Sequence, residues 1–265
     1  MTNFVGGVQA RQIALLTLLL VSQTVGVVTI AVVVLIRGGP IPDIESIVAA
    51  AIAGLISALA MAMFFRALAV GKFSVVMPII SASATVPVIL GIASGERLSA
   101  LQAAGIVAVI AGVAIASRGS EGTRKRSGKL AEGVVLALIA TVLFGLVLIG
   151  LDRAAGSDPY WAVLVLRFST LSVIFLTVIV VGHLPIAPSK NIRRLMLLGI
   201  LDISGFIVFS IATTRDFLSV VAVLGSLYPV VTIAVAWLRL GERMNHLQWV
   251  GIVFTFLGVV LVVSG

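Results

Sequence analysis

Apolar runs of about twenty residues recur along this chain, separated by short polar or glycine- and proline-bearing connections. A helix rises 1.5 Å per residue, so about twenty apolar residues cross the ~30 Å hydrocarbon core of a bilayer. The pattern predicts about nine transmembrane helices, over residues 12–36, 46–70, 74–94, 100–117, 131–152, 160–182, 192–214, 218–239 and 246–264. The uncharged run from Ile13 to Ile36 is longer than a signal-peptide core, and no small-residue cleavage pattern follows it cleanly, so it reads as a retained span. Gly38, Gly39 and Pro40, then Gly71 and Lys72, Asp158 and Pro159, and Pro185 and Pro188 punctuate the connections, which leave no room for a soluble domain. The fold class expected is an all-α integral membrane protein.

The pattern also repeats. SVVMPIISASATVPVILGIASGERLSALQAAGIVAVIAGV, from Ser74, returns as SVVAVLGSLYPVVTIAVAWLRLGERMNHLQWVGIVFTFLGVV, from Ser219. Gly95, Glu96 and Arg97 recur as Gly241, Glu242 and Arg243, and Gly105 and Gly112 recur as Gly251 and Gly258. Further upstream Gly54, Ser57 and Ala67 match Gly199, Asp202 and Ala212. The reading divides the chain into a first repeat over 1–117 with four visible helices, a basic connecting loop over 118–130, and a second repeat of five helices over 131–265. Arg11 at the mouth of the first span is paired with Arg167 in the sixth, whereas the span 131–152 finds no earlier counterpart. Five crossings separate the matched third and eighth spans. That odd number turns the copies over relative to each other, as an inverted repeat with a pseudo-two-fold axis in the membrane plane.

Composition agrees with the pattern. With 60% apolar and 11% charged residues the chain lacks the polar groups to cover a water-facing surface, and its mean hydropathy is +1.26. The absence of cysteine excludes disulfides and thiolate chemistry. The net charge of +8 is spread over connections, with no basic stripe on a soluble domain, so nucleic acid is not an expected partner. Most Lys and Arg fall on the side holding the N-terminus, Lys72, the 118–130 loop, Lys190 to Arg194, Arg239 and Arg243, which the positive-inside rule makes cytoplasmic.

The doubled Gly-Glu-Arg, the Leu-Gln that follows it and the closing Gly-rich helix resemble the EamA-type branch of the drug/metabolite transporter superfamily. The resemblance covers almost the whole chain. It implies ten helices in two five-helix halves, a central cavity and transport of small metabolites without a cofactor. Against that pattern the first helix is missing here. The resemblance also implies that both termini are cytoplasmic, which places the central loop on the opposite side from the charge rule.

Among single residues Asp202 is the leading candidate, because a carboxylate near the middle of a span costs about 2.5–3.5 kcal/mol and needs a compensating role. It shares a helical face with Gly199, Gly205, Phe206, Phe209 and Thr213, opposite Leu197, Ile200, Leu201, Val208 and Ile211. It could hold a proton or a cationic substrate, or serve as structural partner to a neighbouring hydroxyl or Arg. Its counterpart Ser57 is uncharged. Pro78, Pro87 and Pro229 are expected to kink the third and eighth spans, leaving Ser226 and Tyr228 as pathway candidates beside Thr213. Gly95, Glu96 and Arg97, with Gly241, Glu242 and Arg243, read as hairpin scaffold. Arg66 and Arg167 could each attract an anion, although snorkelling to headgroups is the simpler reading. Tyr160 and Trp161 read as interfacial anchors. His183 and His246 form no metal-ligand spacing, and no metal or cofactor is expected.

The function expected is therefore a secondary transporter of a small metabolite in the cell or inner membrane, working by alternating access, with proton coupling as an option. A lipid or lipid-linked sugar flippase and a noncatalytic scaffold are the alternatives. An enzyme is disfavoured because no cluster of His, Cys or paired carboxylates lies in the spans. The bilayer and a small molecule are the expected partners, and homodimerisation is left open.

Overall fold

The computed structural model describes residues 15–71, 76, 79–80, 82–93, 95, 98–118, 127–181, 189–225 and 246–264. These residues are overwhelmingly α-helical and include no strand, as backbone in hydrocarbon must be when it bonds within its own segment. The helices are α1 (Leu15–Arg37), α2 (Ile44–Val70), α3 (Thr85–Ala93), α4 (Ala100–Arg118), α5 (Ser127–Ala155), α6 (Pro159–Val181), α7 (Ser189–Thr213), α8 (Leu218–Gly225) and α9 (His246–Ser264). Among the described residues, stretches of α1, α2, α5, α6 and α7 are long and apolar enough to cross a membrane.

The expected span 74–94 is not one helix. A 3-10 turn over Ala82–Ala84 precedes α3, and Pro87 sits in the first turn of α3, where its missing N–H breaks no bond. The carbonyl of Ile79, just before this break, accepts instead from Thr141 Oγ1 of α5 at 2.8 Å. Pro78 and Pro229 lie outside the described residues, as do Glu96, Arg97, Gly241, Glu242 and Arg243. Gly95 is described. Its φ of +94° is left-handed, which favours glycine at the turn into α4. Ser99 then caps α4: its Oγ accepts from Gln102 N at 3.1 Å while Gln102 Oε1 accepts from Ser99 N at 2.9 Å.

Small residues set the close helix contacts, as expected where van der Waals packing drives association. A Cβ added to Gly150 of α5 would lie 2.8 Å from Ala53 Cβ of α2, and one on Gly258 of α9 would lie 2.7 Å from Val109 N of α4. Asp158 caps α6 by accepting from Tyr160 N and Trp161 N at 2.8 and 3.0 Å, and it also pairs with Arg37 at 3.3 Å. Arg37 lies 3.9 Å above the Tyr160 ring. Asp43 caps α2 and accepts from Ser157 and Ser46, which holds its carboxyl well below the usual carboxylate range. These contacts tie together one end of the bundle. Arg66 and Glu132 make an exposed pair at the other end, 3.5 Å apart.

Candidate functional site

Arg167 does not snorkel. Its residue is fully buried in α6, and its guanidinium is held from two other helices. Nη2 donates to Asp202 Oδ2 of α7 at 2.6 Å, and Nη1 donates to Gln23 Oε1 of α1 at 2.8 Å. The plane lies 4.0 Å over the Phe206 ring, and Nε, although buried, makes no hydrogen bond. Gln23 in turn donates from Nε2 to Met61 Sδ of α2 at 3.2 Å. Alone, Arg167 and Asp202 would each cost about 2.5–3.5 kcal/mol at mid-span, whereas together they are a neutral, hydrogen-bonded group.

The helix crossings around this cluster come in a matched pair. A Cβ on Gly54 of α2 would meet Leu166 O at 2.3 Å and Ser169 Cβ at 2.7 Å on α6. One on Gly199 of α7 would meet Ser22 O at 2.4 Å and Val25 Cβ at 3.1 Å on α1. Gly199 is the repeat partner of Gly54, so these contacts pair Ser22 with Leu166 and Val25 with Ser169. In that register Gln23 corresponds to Arg167, 144 positions later, and the two side chains bond to each other. Met61 corresponds to Phe206, and each lies against its own half-site polar residue. The pairing of Arg11 with Arg167 expected from sequence is thus replaced by Gln23 with Arg167, because the glycine crossings fix the register. Arg11 lies outside the described residues.

Ser57, the counterpart of Asp202, has a buried Oγ without a partner. It belongs to a stripe of α2, Ser57, Met61, Phe64 and Leu68, in which every residue is less than 9% exposed. That end is sealed by Leu18, Leu19, Val76, Ile80, Leu195 and Leu198. The matching stripe of α7 is Asp202, Phe206, Phe209 and Thr213. Here Asp202's side chain is 24% exposed and the other three residues are half-buried. Thr213 Oγ1 donates to Ser210 O at 3.2 Å. Its predicted companions Ser226 and Tyr228 lie outside the described residues. Leu197, Ile200, Leu201 and Val208 face outward as expected, all above 40% exposed, while Ile211 is half-buried.

One participant escapes the sequence reading. Gln23 was a mid-span amide in an uncharged run, and the requirement that such a group find a partner was its available signal. Arg167 and an Arg partner for Asp202 are both offered by the sequence, but not their pairing, because the two residues sit on different helices.

A family model described as "EamA-like transporter family" matches residues 131–264, about half of the chain. The chain belongs to the EamA-like transporter family. That membership makes this EamA protein an integral membrane transporter of the drug/metabolite type. One solved structure, described as "Crystal structure of protein", superimposes with a TM-score of 0.77 at 17% identity, covering 99% of this chain and 98% of its own. It shows that the fold is shared. Among curated proteins nothing matches. The family match falls on the half that carries Arg167 and Asp202, while the fold match spans both halves.

Proposed function

We propose that the protein is a secondary transporter that moves a small metabolite by alternating access, with the Gln23, Arg167 and Asp202 cluster as its central site. The reading rests on the unequal exposure of two equivalent stripes, Ser57 to Leu68 and Asp202 to Thr213. In an inverted repeat the halves can exchange conformations, so a pathway open along one stripe and sealed along the other becomes its mirror arrangement. Asp202 lies where the half-buried stripe meets the cluster. A carboxylate there can take up a proton from whichever side the site faces, which gives the coupling option a physical seat.

Flux into proteoliposomes holding the purified protein tests this reading. A metabolite panel is expected to yield at least one solute that exchanges in a protein-dependent manner, with the rate at least tenfold lower in Asp202→Asn at equal reconstitution. Unchanged flux in that variant removes Asp202 from the mechanism.

A further inference from the structure

Arg167 carries five N–H donors in a planar fork, and Nε and Nη2 share the edge that grips a carboxylate with two parallel bonds. Asp202 accepts from Nη2, and Nε, the other donor of that edge, is buried without a partner. The counter-ion therefore leaves half of the edge unused. A second buried donor, Ser57 Oγ, is also unpartnered, on the α2 face that carries Gly54 against α6 and Met61 against Gln23. Arg167 is fully buried, and Asp202, its counter-ion, is the more accessible of the two. Phe206 backs the guanidinium, and Phe209 lies one turn further along the half-buried stripe, offering apolar surface beside the charge.

We propose that Arg167 is the receptor for the carboxylate of a small, partly apolar organic acid, and that Asp202 is a built-in competitor for it. The inference rests on the transport reading above and names its substrate class. When the acid arrives, its carboxylate bridges Nε and Nη2, and Asp202 leaves Nη2. The site would then hold two carboxylates against one guanidinium. Uptake of one proton by Asp202 from water restores neutrality: substrate anion, proton and the Arg167–Asp202 pair become an Arg167–substrate pair and a neutral Asp202. Release runs the same exchange backwards, so one proton accompanies each monoanion. A cationic substrate fits less well, because Asp202 is already neutralised and Arg167 would repel the newcomer.

Binding of acetate, hexanoate and benzoate, each against its matched amine, is measured on purified protein in detergent by calorimetry and thermal stabilisation. At least one carboxylate is expected to bind, with affinity rising as pH falls from 7.5 to 5.5, by up to the roughly tenfold per unit that one-proton linkage sets as its limit. Asp202→Asn removes the competitor and is expected to bind that acid at least tenfold more tightly at pH 7.5, with little pH slope. Arg167→Lys keeps the charge but loses the fork, and is expected to weaken binding at least tenfold. No carboxylate binding to either protein, an amine that binds in an Asp202-dependent way, or a pH slope that persists in Asp202→Asn overturns the proposal. Each of these can occur while protein-dependent flux of some other solute is intact, so failure here is distinguishable from failure of the transport reading.

Discussion

Gln23 and Arg167 occupy equivalent positions in the two halves of this chain, and Arg167 donates directly to Gln23 across 2.8 Å. The centre of the protein is thus built where the repeats meet. Equivalence of position has not meant equivalence of chemistry. One half supplies an amide and a serine, and the other a cation and a carboxylate.

The ion pair makes stability depend on both partners together. Replacing Arg167 with Gln leaves Asp202 uncompensated at mid-span and is expected to cost about 3 kcal/mol. The double variant Arg167→Gln with Asp202→Asn is expected to lose less than the two single losses combined, with a coupling of about 1–3 kcal/mol in unfolding from detergent micelles.

The glycine crossings are sterically obligatory. Gly54→Ala and Gly199→Ala each press a methyl into a backbone carbonyl and are expected to lower stability by about 1–3 kcal/mol. Gly205→Ala is the control, because no atom lies within 4 Å of its added Cβ, and it is expected to be neutral or stabilising by up to about 1 kcal/mol. Thermal unfolding of the three variants side by side checks the ordering.

Asp158 caps α6 with two backbone bonds and also meets Arg37, so the two roles can be weighed. The cap is expected to dominate. Asp158→Ala should cost about 1 kcal/mol, whereas Arg37→Ala, at an exposed end, should cost under about 0.5 kcal/mol. A larger loss in Arg37→Ala would show that its stacking on Tyr160 matters more than the cap.

The fold was legible because hydrophobic length and helical period are local properties. The predicted span 246–264 coincides with α9, and most other ends fall within a few residues. Sequence predicts only a kink where α3 begins, because a proline within a helix and one that starts a new helix look alike in sequence. Asp202 was legible as a cost in need of a partner. The partner itself was not, since Arg167 looked like any arginine within two turns of an interface. The repeat register of the first span depended on the contact between Gly199 and Ser22, a relation between distant helices with no trace in local composition.

Cysteine accessibility tests the account most directly, because the chain contains no cysteine to remove. Leu68→Cys and Thr213→Cys place single thiols at equivalent positions of the two stripes, one sealed and one half-buried. Labelling of sealed membrane vesicles with an impermeant maleimide is expected to modify Thr213→Cys from one face of the membrane. Leu68→Cys is expected to be modified more slowly and from the opposite face. Modification of both cysteines from the same face, or lasting protection of Leu68→Cys in every condition, would contradict alternation between two equivalent half-pathways.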